Sequence, residues 1–367
     1  MEDGARVPGG LDPARRRGDV RARRRRPHGA EARAVAEAGE RGGPTYAALD
    51  LGTNNCRLLI ARPAGDGFRV IDAFSRIIRL GEGVSLSGRL SEAAVARAIE
   101  ALAVCRDKMR NRGVTRARLI ATEACRAADN AGAFRDRVRE ELGFDLEIVD
   151  RETEASLAAM GCTPLIDPQA RGVILFDIGG GSTELVRLGP PEPARRGPPM
   201  PRIMGWASLP LGVVTLAERH GGVTVTPAVF ETMVREVADR LAPFAAAHGG
   251  DLAAVHLLGT SGTVTTIAGV HLDLPRYDRR RVDGCWLGVE DIAAVVARLM
   301  AMSFADRAAN PCIGAERADL VLAGCAVLEA VRRAFPCPRL RVADRGLREG
   351  ILVELMRADG VWDGVAS

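Results

Sequence analysis

Apolar residues in this chain fall into short runs closed by polar or glycine-rich turns, and their period changes along the sequence. Residues 46–50 form an apolar run ending in aspartate, the pattern of a strand covered on both faces, and 56–61 reads as its hairpin partner. After Ser91, a helix cap, the apolar positions Val95, Ile99, Leu102 and Met109 share one helical face. Residues 119–122 predict a strand entering a helix around Ala124, and 146–149 a strand entering a helix near Glu152. At 173–177 and 185–188 the strand–turn–strand pattern returns. Six prolines in the twelve residues 190–201 predict a surface loop outside any sheet interior. Helices at 226–248 and 289–302, a strand at 254–258 and a closing helix after Gly346 complete the pattern. Strands and helices alternate twice over, which predicts two α/β domains.

Residues 1–44 differ from the rest, with arginine, glycine, proline and alanine and almost no apolar periodicity, so disorder is expected. Their dense arginines (Arg15 to Arg17, Arg21, Arg23 to Arg26) leave three readings open: a polyanion-binding arm, a solvated tail, or a start placed too far upstream. Eleven arginines against seven acidic residues in this stretch account for the whole net charge of +4. The remaining chain is neutral, so a polyanion would have to be bound by a local site and not by bulk charge. Lys108 is the single lysine. No apolar run is long enough for a membrane span. The eight cysteines contain no C-x-x-C pair, so no zinc knuckle is indicated, and the histidines lack metal-ligand spacing. With no secretory leader evident, reduced thiols and a cytoplasmic location are expected.

The sequence contains an internal repeat. Asp50-Leu51-Gly52-Thr53-Asn54-Asn55-Cys56-Arg57 and Asp177-Ile178-Gly179-Gly180-Gly181-Ser182-Thr183-Glu184 share one pattern at a separation of 127 residues. In each, a strand ends in Asp, and glycine with small hydroxyl or amide residues turns into a second strand. Glycine lets backbone N–H groups approach an anion, and hydroxyls add donors. The Asp repels phosphate but can hold a hydrated cation that binds it. Two such loops facing each other would clamp phosphates across a cleft; each could instead be only a tight hairpin turn. A third turn, Gly259-Thr260-Ser261-Gly262, follows a strand and opens a helix, presenting N–H groups to an anion. Neither a P-loop nor a dinucleotide fingerprint is present.

These blocks resemble the exopolyphosphatase and guanosine-pentaphosphate phosphohydrolase family (Ppx/GppA) of the actin, hexokinase and Hsp70 ATPase superfamily. Further carriers are Ala121-Thr122-Glu123-Ala124-Cys125-Arg126 with Asn130, Glu154-Ala155, Leu209-Pro210-Leu211-Gly212, and the segment Asp344 to Gly350. The resemblance spans residues 46–356 in the short form of the family, without the C-terminal helical region of longer relatives. It implies an α/β fold of two ribonuclease-H-like (actin-like) domains with a cleft between them. The expected division is a tail at 1–44, domain I at 45–157 plus 346–360, and domain II at 158–345. It also implies roles. Glu154 is the expected general base, with Glu184 and Arg126 completing the catalytic set and Glu152 a nearby decoy. Gly52, Thr53, Asn54, Asn55, Arg57, Gly179, Gly180, Gly181, Ser182, Thr183, Gly259, Ser261 and Gly262 are the expected phosphate-binding residues. Asp177 and Glu184 are the expected metal ligands, and Arg348 and Glu349 a structural pair. Thr53 and Asn55 stand where the family more often has serines, which keeps donors in place.

Hydrolysis of a phosphoanhydride needs the terminal phosphate held, its charge neutralised and a water aimed in line. The expected activity is Mg²⁺-dependent exopolyphosphatase, with another divalent ion or K⁺ as alternatives. Guanosine pentaphosphate presents the same terminal anhydride and is the second candidate substrate. A non-catalytic alarmone or polyphosphate sensor and a sugar kinase or ATPase of the same superfamily are the remaining alternatives. No membrane and no specific nucleic acid is expected as partner; a homodimer is compatible with the resemblance.

Overall fold

A computed structural model describes residues 43–192, 194 and 196–363. The arginine-rich stretch expected to be disordered lies outside the described residues, apart from its last two positions. The first half of the chain builds β1 (Tyr46–Leu51), β2 (Asn55–Ala64), β3 (Gly67–Ile77), α1 (Glu92–Asn111), β4 (Arg116–Ala121), α2 (Glu123–Ala127), α3 (Ala131–Leu142), β5 (Glu147–Ile148) and α4 (Arg151–Cys162). The second half builds β6 (Gly172–Ile178), β7 (Thr183–Leu188), β8 (Ile203–Leu209), α5 (Val213–His220), α6 (Pro227–His248), β9 (Val255–Thr260) and α7 (Gly262–His271). It continues through β10 (Trp286–Gly288), α8 (Val289–Ala301), α9 (Phe304–Ala309), α10 (Val321–Ala334), β11 (Arg339–Ala343) and α11 (Leu347–Ala358).

The two halves share one topology. The first sheet runs β3-β2-β1-β4-β5 and the second β10-β11-β9-β6-β7-β8. In each, an antiparallel meander (β1-β2-β3, β6-β7-β8) is extended by parallel strands reached through helices (β4 and β5, β9 and β11). The expected fold of two repeated α/β halves about a cleft is thus the observed one. Strands β3, β8, β10 and β11, and helices α3, α5, α9 and α10, are additions to the sequence reading. β3 has no buried residue and β8 only Leu209, which weakens an apolar signal.

Both sheets are covered on both faces, which is why β1 and β6 read as unbroken apolar runs. Leu49, Leu51, Leu58 and Ile60 pack against Val95, Ile99 and Leu102 of α1. On the opposite face Tyr46, Ala48 and Leu59 pack against Ile351, Leu352 and Met356 of α11. In the second half Ile174, Phe176 and Leu185 face the large helical core, while Val173, Leu175 and Val186 face Ala155, Ala159 and Cys162 of α4.

Helices α4 and α11 therefore lie between the sheets and cross each other. A Cβ at Gly161 would overlap the Gly346 carbonyl, and one at Gly350 the Leu157 carbonyl, so glycine is required for this approach. The expected domain boundary at residue 157 falls inside α4: Leu157 joins the core under the first sheet, while Ala155 and Ala159 join that under the second. All eight cysteines are free, seven of them buried. His256 is a satisfied core residue, with Nε2 accepting from the Asp167 N–H at 3.2 Å and Nδ1 2.8 Å from the Leu257 carbonyl.

Candidate active site

The cleft between the halves has a volume of about 520 Å³ and is lined by both repeated turns. Each turn closes with the same hydrogen bond: Gly52 N–H to the Asn55 carbonyl and Gly179 N–H to the Ser182 carbonyl, both 2.9 Å. The loop carbonyls are occupied from behind. Thr53 O accepts from Gly81 N–H at 2.9 Å and Asn54 O from Ile78 N–H at 2.9 Å. Gly179 O and Gly180 O accept from Val213 and Val214 at 3.0 and 2.8 Å. Among the described residues nothing takes the N–H groups of Thr53, Asn54, Gly180 and Gly181. With carbonyls tied back and amides free, each turn is a concavity for an anion.

The two turns almost touch. A Cβ on Gly180 would stand 2.9 Å from Thr53 Cβ, and one on Gly181 2.9 Å from Thr53 Oγ1, so these positions admit only glycine. The Leu209–Gly212 block lies behind the second turn, where the Thr183 hydroxyl donates to the Leu211 carbonyl at 2.8 Å.

Glu154 enters from the first turn of α4, whose N-cap Asp150 accepts from Thr153 N–H at 2.7 Å. Arg126 is clamped beside it. Its Nε and Nη2 reach Glu123 Oε2 at 3.0 and 2.8 Å, and Nη1 donates to the Val149 carbonyl at 2.9 Å. Nη1 also lies 2.7 Å from Glu154 Oε2 as an ion pair, without an aligned hydrogen bond at that oxygen. Arg151 fixes the other oxygen of Glu123 at 2.8 Å. Glu154 is thus held by charge while its carboxylate keeps lone pairs for a water in the cleft.

Six carboxylates of the described residues line this space, and four of them, Asp50, Asp177, Glu154 and Glu184, belong to the two turns and the start of α4. Burial is the largest cause raising the pKa of each of these four. Asp177 is pushed up to about 6, against the lowering effect of Arg57. Glu154 is raised by burial and then by the charge of Glu184, with Arg126 opposing. Glu184 is raised by burial and by Asp177; the Ser208 hydroxyl, donating at 2.9 Å, opposes. Among the described residues no three His, Cys, Asp or Glu side chains converge as a metal cage. Hard carboxylate oxygens that repel one another beside free amides still suit a Mg²⁺ that keeps waters and takes phosphate oxygens as ligands.

The model of one family, described as the Ppx/GppA phosphatase family, matches residues 59–359. This chain belongs to that family. Among its relatives, Exopolyphosphatase 2 of Mycobacterium tuberculosis is 30% identical over 325 residues, covering 84% of this chain and 98% of that protein. A guanosine-5'-triphosphate,3'-diphosphate pyrophosphatase of Vibrio atlanticus is 25% identical over 85% of this chain, which spans 59% of its length. The crystal structure of the Aquifex aeolicus Ppx/GppA family member superposes with a TM-score of 0.70 at 27% identity, covering 86% of this chain and 98% of that one.

Within this Ppx/GppA cleft most of the residues singled out from the sequence come together: Gly52 to Asn55, Arg57, Gly179 to Ser182, Ser261 and Gly262 all line it. Five placements differ from expectation. Gly259 lies inside β9, where a Cβ would strike the Phe176 ring, so its glycine serves packing. The Thr183 hydroxyl is spent on Leu211, Arg126 faces Glu123 and Glu154 in place of the cleft, and Ser261 Oγ accepts from Thr263 N–H at 3.1 Å as a helix cap. Arg348 and Glu349 are not a pair: Glu349 binds Arg279 at 2.9 Å, and Arg348 lines the cleft. Asn130 brackets Leu90, accepting from its N–H at 2.8 Å and donating to its carbonyl at 3.0 Å. Arg317 and Tyr277 also line the cleft and were missed. Arg317 sits in a charged, turn-rich stretch of the chain with no local sign of a ligand.

Proposed function

We propose that this protein hydrolyses the terminal phosphoanhydride of inorganic polyphosphate with the help of a divalent cation, Mg²⁺ by preference. The observation that carries this reading is the Glu154 carboxylate: buried, raised in pKa, paired at one oxygen with Arg126, and opening between two loops with free amides. A group so placed accepts a proton from water near neutral pH more readily than an ordinary carboxylate. The terminal phosphate lies against the amides of Thr53, Asn54, Gly180 and Gly181, with Arg57, Arg317 and Arg348 neutralising its oxygens. Water attacks the terminal phosphorus, the bridging P–O bond breaks, orthophosphate leaves, and the proton passes to Glu154 Oε. Arg126 holds Glu154 in position. Asp177 and Glu184 would hold Mg²⁺, which supplies charge neutralisation on the phosphates.

Guanosine pentaphosphate is the second reading, supported by relatives named as its pyrophosphatases. The test measures phosphate release from long-chain polyphosphate and from guanosine pentaphosphate, for wild type and Glu154→Gln. Loss of a general base lowers kcat by about 10²- to 10⁴-fold. Release from the nucleotide alone moves the assignment to alarmone breakdown. Wild-type silence on both, with tight binding, makes the protein a sensor.

A further inference from the structure

A polymer whose end unit sits between the two turns has to leave the cleft, and two sides of its surroundings differ in charge. On one, the halves are latched. Arg79 meets Asp319 with two contacts, Nη1–Oδ2 at 3.0 Å and Nη2–Oδ1 at 3.2 Å, and Nη2 also donates to the Glu316 carbonyl at 3.1 Å. Beside it Glu218 accepts from the Gly83 N–H at 2.9 Å and from the Ser85 hydroxyl. Among the described residues, Arg79 is paired with Asp319 and Arg97 with Glu82, while Glu218 meets neutral donors. A polyanion is repelled from this side.

On the other side stands Tyr277, which lines the cleft and donates to Asp344 Oδ2 at 2.6 Å. It belongs to the segment Arg276-Tyr277-Asp278-Arg279-Arg280-Arg281. Arg279 turns inward to Glu349 at 2.9 Å, and Val282, one helical turn on, is buried on the same face. The one acid of the segment, Asp278, accepts from the Arg280 N–H at 2.9 Å as a helix cap, and the nearby Asp283 is neutralised by Arg345. Arg276, Arg280 and Arg281 are exposed, and among the described residues their side chains make no ion pair. Inside the lip, Arg57, Arg317 and Arg348 line the cleft together with Tyr277, so cations continue from the phosphate turns to the rim.

We propose that Arg276, Arg280 and Arg281, at the lip beside Tyr277, form an outer subsite for the part of a polyphosphate chain that lies beyond its reacting end. The subsite rests on the polyphosphate reading above. A flexible, uniform polyanion needs no shaped pocket; it needs mobile cations spaced along its way out. A short chain that the cleft encloses whole would not reach them.

The test compares half-saturation for long-chain polyphosphate and for tripolyphosphate in wild type, Arg276→Ser/Arg280→Ser/Arg281→Ser, and the corresponding triple lysine variant. Three exposed charge contacts raise KM for the long chain about tenfold when removed, with kcat and the tripolyphosphate KM unchanged. Lysine restores the long-chain value, since an exposed site needs only a point charge, and raised salt abolishes the difference. An unchanged long-chain KM, an equal rise for both chain lengths, or a loss that lysine does not rescue overturns the proposal. So does an equal rise for guanosine pentaphosphate. If wild type leaves polyphosphate intact, the hydrolase reading fails by itself. Equilibrium binding of long-chain polyphosphate, made in the Glu154→Gln background with and without the serine changes, then decides the subsite: a tenfold weakening supports it and equal affinity overturns it.

Discussion

Replacing Asp177 with asparagine tests the electrostatics of the second turn without relying on turnover. The carboxylate is hemmed in by protein, with one side open on the cleft, and burial raises its pKa from 3.8 to about 6. A raised folded-state value means that the contribution to stability is fully present below the unfolded value and is lost as pH rises toward 6. A shift of about two units corresponds to about 3 kcal/mol lost by wild type at pH 8. Cleft water solvates the open side, which brings the expected figure to about 1–2 kcal/mol. Asparagine carries no charge to lose, and it also relieves Glu184, for which Asp177 is the second-largest raising influence. Urea unfolding in EDTA should therefore show Asp177→Asn more stable than wild type by about 1–2 kcal/mol at pH 8, with the gap closing near pH 4. Adding Mg²⁺ should reverse the order, because only the wild type gains from binding at its full carboxylate complement. A gap of the same size at both pH values, or an asparagine variant that is the less stable at pH 8 in EDTA, would refute the reasoning.

Three further outcomes follow from the same geometry. The acid limb of log kcat against pH should lie above the ordinary Glu value of about 4.3, because Glu154 must be ionised to accept a proton. A residual-activity profile of Glu184→Gln should show that limb moved to lower pH, since the second cause of the rise is removed; a limb at the ordinary value in wild type contradicts a buried base. Arg79→Ala removes a half-exposed, two-contact ion pair, worth about 1 kcal/mol, and should favour open over closed halves about fivefold. Scattering that shows no increase in radius of gyration would count against a latch. Gly350→Ala sets a methyl group against the Leu157 carbonyl and should cost about 1–3 kcal/mol in urea unfolding, whereas an unchanged midpoint would mean that α4 and α11 move apart freely.

What the sequence revealed tracks what local chemistry can encode. Strands β1 and β6 were legible because burial on both faces leaves an unbroken apolar run, and α1 because Ser91 caps it, accepting from Ala94 N–H at 3.2 Å. The turns were legible because their glycines repeat at a fixed offset. Edge strand β8 was not, since Met204 and Trp206 stay exposed and the strand borrows its register from β7. Helix α10 is buried almost all round, so it lacks the polar face that marks a helix end to end. Arg317 and Tyr277 become site residues only through tertiary approach. Gly259 went the other way: its place in a glycine-rich turn suggested a ligand, while the side chain it makes room for is Phe176.

The repeat also explains how two near-identical turns divide the work. Asp50 pairs across its hairpin with Arg57, and Asp177, at the matching position, pairs across its own with Glu184. The first turn thus sets a cation against its carboxylate and offers free amides to an anion. The second sets carboxylate against carboxylate in a buried place, which favours whatever brings positive charge, a proton or a divalent ion. Helix α4 then delivers Glu154 close enough to Glu184 for that charge to raise its pKa. On the reading proposed above, holding falls to the turn with the arginine and chemistry to the side with the excess of carboxylates. A charge swap of Arg57 and Glu184 would keep the cleft's net charge and should still abolish turnover, because it moves the excess negative charge away from Glu154.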